Sequence, residues 1–188
     1  ALIAPPGDVW LAVADNQSVA PELAALLSDW PAPETRQTIN RDNPPYQLRR
    51  VNLAERILGA AQQAEQHSGT IDLPVAFGDT AALIGYRLKR VGDTLTLITY
   101  WRAGDQIATP LQMFVHVSGP DGTIVAQADR LDAAPDTWRP GDLIVQVHSL
   151  ELSAAVKDYV VEIGFYNPET GVRLPVGGAD HFALAALD

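Results

Sequence analysis

Four histidines, His67, His116, His148 and His181, are the side chains of this chain best suited to move a proton near neutral pH or to ligate a metal. They stand singly, without the HxH or HExxH spacing that would bring two imidazoles to one ion, so no metal site is expected. His116 lies between Val115 and Val117, and His148 shares a face with Gln146, so each reads as a hydrogen-bonded strand histidine rather than a general base. The six serines (18, 28, 68, 118, 149 and 153) lack a GxSxG context, which leaves a hydrolase without its nucleophile. The absence of cysteine removes disulfides, thiolate zinc sites and cysteine nucleophiles together.

The acids are equally uncommitted. Asp129, Asp132 and Asp136 crowd one segment, which suits either a surface calcium site or a solvated acidic loop. The alternating ligands and closing Glu of an EF-hand are absent, so the solvated loop is the expectation. Gly-Asp recurs at 78–79, 92–93, 104–105 and 141–142, each at a turn or just before a strand, without a Walker loop or a GxGxxG. With 23 Asp and Glu in the chain, the two carboxylates of a glycosidase could be chosen anywhere, so their number selects nothing. No catalytic residue and no cofactor are therefore expected. Aromatic side chains are the better lead, because a pyranose stacks its apolar face on Trp or Tyr while polar neighbours take its hydroxyls. Trp101 shares a face with Leu95 and Leu97 and belongs to a core. Trp138, in the loop Asp136-Thr137-Trp138-Arg139-Pro140, and Tyr166, on the Glu162 face at a strand end, remain as candidate ligand contacts, against the reading in which the loop Trp folds back over the edge of the sandwich.

The elements that must position them change character along the chain. Val9 to Ala14 is a short apolar run ending in Asp15-Asn16, which predicts a buried strand. Ser18, Pro21 and Glu22 then open a predicted helix whose Leu23, Leu26, Leu27 and Trp30 form one stripe before Pro31 stops it. Two further strands are predicted over 35–41 and 46–53 around Asn43-Pro44-Pro45, and residues 54–69 read as a helical or loose linker in which Gly59 interrupts a weak apolar stripe. From Ile71 the period becomes two. Leu95, Leu97, Thr99 and Trp101 fall on one face, and Leu111, Met113, Val115 and Val117 on another, opposite Gln112, Phe114 and His116. More strands are predicted at 123–130, 143–152, 159–166 and 181–187, separated by Gly-Pro-Asp-Gly, Arg-Pro-Gly-Asp and Asn-Pro-Glu-Thr-Gly turns. Around eight short strands at this spacing predict a mainly β protein: an antiparallel β-sandwich of immunoglobulin-like or jelly-roll type over 70–188, preceded by a small α/β unit and linker over 1–69.

Composition narrows the function classes. Apolar residues make up 47% and charged ones 19%, a packed globular composition rather than a disordered one. The net charge of −10 repels a phosphate backbone, so no nucleic-acid partner is expected. Uninterrupted apolar runs reach only six residues, whereas a membrane helix needs roughly 20. The chain opens on Ala1 without a basic n-region or a cleavable apolar stretch, and an excised piece of a longer protein is expected.

The strand and turn motifs, taken in order, resemble a known family. They are Phe77-Gly78-Asp79 with Leu83-Ile84-Gly85-Tyr86, Gly92-Asp93-Thr94-Leu95-Thr96-Leu97 leading to Tyr100-Trp101-Arg102-Ala103, and Phe114-Val115-His116-Val117 followed by Asp121-Gly122. Trp138-Arg139-Pro140-Gly141-Asp142 and the run from Val161 through Gly164-Phe165-Tyr166-Asn167-Pro168-Glu169-Thr170-Gly171 to Leu174 complete them. This order resembles the soluble C-terminal β-domain of bacterial membrane proteins of the glycosyltransferase family 39, protein mannosyltransferase-like, Chloroflexus type. The likeness covers residues 73–176, with 9–53 similar to the connector that follows the last membrane helix. Leu111 stands where an aromatic often opens the Phe-Val-His strand, and Gln146 where an acid often precedes the His148 position.

The resemblance implies a parent that takes a sugar from a lipid-phosphate donor, with its catalytic acid in a loop between membrane helices that are not in this chain. It therefore carries no catalytic or binding residue onto this chain. What it implies here is a noncatalytic module on the extracytoplasmic face of the bacterial membrane, partnered by the membrane domain of the same polypeptide; the all-β architecture with Trp138 and Tyr166 adds the expectation that it assists the binding of acceptor protein or glycan. The rival readings are a stand-alone secreted carbohydrate-binding module and a purely structural packing module.

Overall fold

The computed structural model describes residues 1–14, 35–37, 46–68, 71–153 and 158–187. The helix expected from Ser18 to Trp30 and the Asn43-Pro44-Pro45 turn lie outside the described residues. The strands are β1 (Leu2–Ala4), β2 (Val9–Ala14), β3 (Thr35–Gln37), β4 (Tyr46–Val51), β5 (Val75–Phe77), β6 (Ala81–Val91), β7 (Thr94–Ala103), β8 (Gln112–Ser118), β9 (Ile124–Asp129), β10 (Leu143–Glu151), β11 (Tyr159–Tyr166) and β12 (Phe182–Leu187). Among the described residues one helix, α1 (Leu53–Ser68), separates β4 from β5.

Two antiparallel sheets form a β-sandwich, one with five strands in the order β1-β10-β7-β6-β5 and one with four in the order β12-β11-β8-β9. With β6, β7 and β10 as strands A, B and E, and β8, β9, β11 and β12 as C, C′, F and G, this is the strand order of the immunoglobulin-like sandwich rather than of the jelly roll. The alternation read from the sequence fills the space between the sheets: Leu95, Leu97 and Trp101 of β7 meet Met113, Val115 and Val117 of β8 and Val161, Ile163 and Phe165 of β11. At its centre Phe77, Trp101 and Phe165 pack edge to face, with ring centroids 4.7 to 5.7 Å apart, and burial of one such ring stabilises the fold by roughly 1.5–3 kcal/mol. The Trp101 indole donates to Thr99 Oγ1 at 2.7 Å, so its polar atom is satisfied inside the core.

The helix supplies a third layer. Asn52 Oδ1 accepts from the Glu55 amide at 3.0 Å and caps α1. Leu53, Ile57, Ala61 and Ala64 then face Tyr100, Leu143 and Val145 on the far side of the five-stranded sheet. A bulge between Leu83 and Gly85 turns Ile84 toward that layer, and Gly85 lets α1 come close: a Cβ there would lie 2.8 Å from the Ala61 carbonyl oxygen. Residues 54–69 are thus largely a docked helix rather than a loose linker. β1, for which the sequence predicts no strand, pairs with β10 at the edge of the sandwich. What the structure describes of that unit is a three-stranded antiparallel sheet, β2-β4-β3, in which Val9–Ala14 runs against Tyr46–Val51.

Candidate functional site

Among the described residues, the outer face of the four-stranded sheet gathers several chemically capable side chains. Inward residues of β8 and β11 alternate with Gln112, Phe114, His116 and Ser118 on one strand and Glu162, Gly164 and Tyr166 on the other. Pairing sets His116 beside Glu162 and Phe114 beside Gly164, and places Asp129 of β9 opposite Phe114. Asp129 therefore stands one row from both His116 and Tyr166, and its carboxylate reaches both. Oδ1 lies 3.8 Å from His116 Nε2, and Oδ2 accepts from the Tyr166 hydroxyl at 3.1 Å.

The connection from β11 to β12 closes the other side. The backbone of Leu174 donates to the Phe165 carbonyl, and Arg173 bridges back to Tyr166, which brings the Arg173 guanidinium over the Phe114 ring, 4.4 Å from its centre. Arg173 Nη1 is 3.4 Å from Asp180 Oδ2. His181 stands between two carboxylates, with Nδ1 2.7 Å from Asp180 Oδ1 and Nε2 3.4 Å from Glu162 Oε1. Ser118 donates to the second oxygen of Glu162 at 3.3 Å. Phe114 lies flat against Gly164, where a Cβ would fall 2.4 Å from two of its ring carbons, and its centroid is 4.7 Å from the His116 imidazole.

Electrostatics follow from this crowding. Partial burial lowers the His116 pKa; Asp129 pulls the other way, and the Arg173 cation reinforces the lowering. The His181 hydrogen bond holds the Asp180 carboxyl below the usual carboxylate range. Desolvation, with Asp129 close by, raises the Tyr166 phenol. The face is a lattice of hydrogen bonds and close polar contacts around two aromatic rings, with Arg173 and Asp180 as its arginine–carboxylate pair. The Ser118 hydroxyl meets a carboxylate and no imidazole, so the nucleophile–base pair of acyl transfer is not formed there. Among the described residues no group of three or more His, Asp or Glu is disposed to hold a metal ion.

The two aromatic candidates are not brought together. Tyr166 stands on this face, whereas Trp138, only 5% exposed, is one of the core residues between the sheets. A short 3-10 turn, Pro135–Thr137, and the following turn, in which Asp142 Oδ2 accepts from the Arg139 amide at 2.8 Å, fold the indole inward. The acidic segment does not converge either: Asp129 serves the outer face, while Asp132 pairs with Arg130 at 3.0 Å and with the Gln146 amide. A separate open depression of about 400 Å³ lies over Ala76 and Ala82, rimmed by Arg102, Asp79, Asp105 and Gln106, with one cation and no aromatic ring.

The sequence reading placed Phe114 and His116 on the polar side of β8 and Tyr166 on the Glu162 face. It missed Asp129, Arg173, Asp180 and His181 as their partners, and for the last three the available signal was the short span between the β11 and β12 patterns. Comparison with family models, with curated proteins and with solved structures finds no match to this chain.

Proposed function

We propose that this chain is a noncatalytic recognition module whose outer four-stranded face, around Tyr166, His116 and Glu162, holds a saccharide or an acceptor peptide for a membrane glycosyltransferase on the extracytoplasmic side of the bacterial membrane. The observation that carries the binding part is the convergence of exposed and half-buried donors and acceptors from β8, β9, β11 and the 167–181 connection around the half-buried Tyr166 ring. That combination of a flat ring and fixed polar partners is what a sugar's mixed apolar and hydroxylated faces require. The glycosyltransferase context is supported by the ordered resemblance of residues 73–176 to the soluble domain of family 39 membrane proteins.

Amide NMR during titration with neutral oligosaccharides and, separately, with Ser/Thr-rich peptides tests the binding. Shifts confined to 112–118, 127–129 and 162–166, lost in Tyr166→Ala, are expected. Silence of these amides at millimolar ligand sinks the binding role and leaves structural packing against the membrane domain. The context is tested by reading the gene upstream of the Ala1 codon. Some eight or more apolar windows of about 19 residues support it, and a lone signal peptide replaces it with a secreted binding module.

A further inference from the structure

Two polar residues of β10 point into the sandwich, where apolar side chains precede and follow them. Ile144, Gln146, His148 and Leu150 share the inner face of the strand, and Gln146 and His148 are 0% and 1% exposed. Both hold the same short segment, the start of the crossover from β9 to β10. His148 Nε2 donates to the Arg130 carbonyl at 2.9 Å. The Gln146 side chain accepts from the Asp132 amide at 3.1 Å and donates to its carboxylate at 3.1 Å. Arg130 completes the clasp by donating to the Val147 carbonyl at 2.7 Å, and Leu131 and Ala133 tuck against the core.

With Nε2 bearing the proton, Nδ1 of His148 is bare, is buried, and has no hydrogen-bond partner among the described residues. The geometry points to a pH-sensitive latch: a proton on the buried His148 Nδ1 finds no acceptor among the described residues, and residues 130–134 must lift away for water to reach it. The charged groups facing the ring are Arg130, whose guanidinium opposes a second cation, and Asp129 and Asp132, which favour one. Both carboxylates are already engaged, Asp129 with Tyr166 and His116 and Asp132 with Arg130 and Gln146. From β7 the residue opposite is Leu97, which offers no charge. Burial outweighs these attractions and lowers the imidazole pKa below its ordinary 6.5.

A single proton taken up on opening makes the open population rise by at most about tenfold per pH unit once the pH is below the exposed imidazole's value. Hydrogen exchange between pH 7.5 and 5.0, corrected for the intrinsic rate at each pH, tests this. The amides of Arg130 and Asp132 are expected to lose protection by about ten- to thirtyfold. Gly141, bonded to the Ala103 carbonyl at the far end of the same crossover, is expected to keep its protection. His148→Gln retains a donor for the Arg130 carbonyl but does not titrate, and should remove the difference. A parallel NMR titration of the wild-type imidazole should show protonation and the loss of protection at one midpoint. Equal protection of Arg130 and Asp132 at both pH values overturns the latch. So does an imidazole that protonates while the segment stays closed, or an unchanged pH response in a folded His148→Gln protein.

Discussion

The guanidinium of Arg173 covers the ring of Phe114, 4.4 Å from its centroid, and leaves that outward-facing phenylalanine only 2% exposed. A large apolar side chain on the solvent side of a sheet is thus shielded by a cation that Asp180 holds in place. Arg173→Ala should cost about 0.5–1 kcal/mol, because the pair is partly solvated. Chemical denaturation of the single variants and of the pair with Phe114→Leu checks this, and additive losses would show that the two residues do not interact.

Gly164 is where the same ring meets the backbone. A methyl group there would fall 2.4 Å from Phe114 Cε1 and Cζ and 3.3 Å from the Asp180 carbonyl oxygen. Gly164→Ala should therefore destabilise the sandwich by roughly 1–3 kcal/mol and, if the outer face is the binding face, weaken ligand binding as well. Denaturant midpoints together with the saccharide titration separate the two effects.

Two helix-layer glycine positions should respond with opposite sign. Gly59 lies inside α1 with nothing within 4 Å of an added Cβ, so Gly59→Ala should stabilise by about 0.5–1 kcal/mol through helix propensity. Gly85 abuts the Ala61 backbone, and Gly85→Ala should push the helix off the sheet at a cost of roughly 1–3 kcal/mol. Thermal melts of both variants decide, and a stabilising Gly85→Ala would contradict the close docking of α1.

Stability should decline as the solution is acidified. His116 and His148 both have folded-state pKa values below 6.5, chiefly through burial. The unfolded chain then binds more protons than the folded one, so their contribution is complete above about pH 6.5 and is lost as pH falls toward the folded-state values. A second loss belongs below about pH 3.8, where the unfolded chain's carboxyls take up protons before the depressed Asp180 and Asp121 carboxyls of the folded chain do. Melting temperature measured from pH 8 to 3 should fall in these two windows, and the first should shrink in His148→Gln.

Much of the sandwich is legible in the chain because the signal for a strand face is local. Leu95, Leu97, Thr99 and Trp101 repeat with period two and all four are buried on one side, and Leu111, Met113, Val115 and Val117 do the same. The turns carry their own chemistry, as at Gly122 and Gly171, whose positive φ values of 78° and 71° suit glycine. Such features depend on neighbours a few residues away, so composition and spacing alone determine a mainly β architecture and the strand faces that line its core.

The tertiary structure decided what lies across strands. β1 pairs with β10 although more than 130 residues separate them, and α1 becomes a third layer because Gly85 and Ala61 are small where the two backbones approach. Trp138 is drawn inward by a turn that its own sequence spacing does not specify. Asp129 reaches both His116 and Tyr166 only because β9, β8 and β11 lie side by side in one register. That register is set by how the inner faces pack, and the outer residues are carried to their partners by it. The sequence determined which residues face outward, and the packing of the core determined which of them meet.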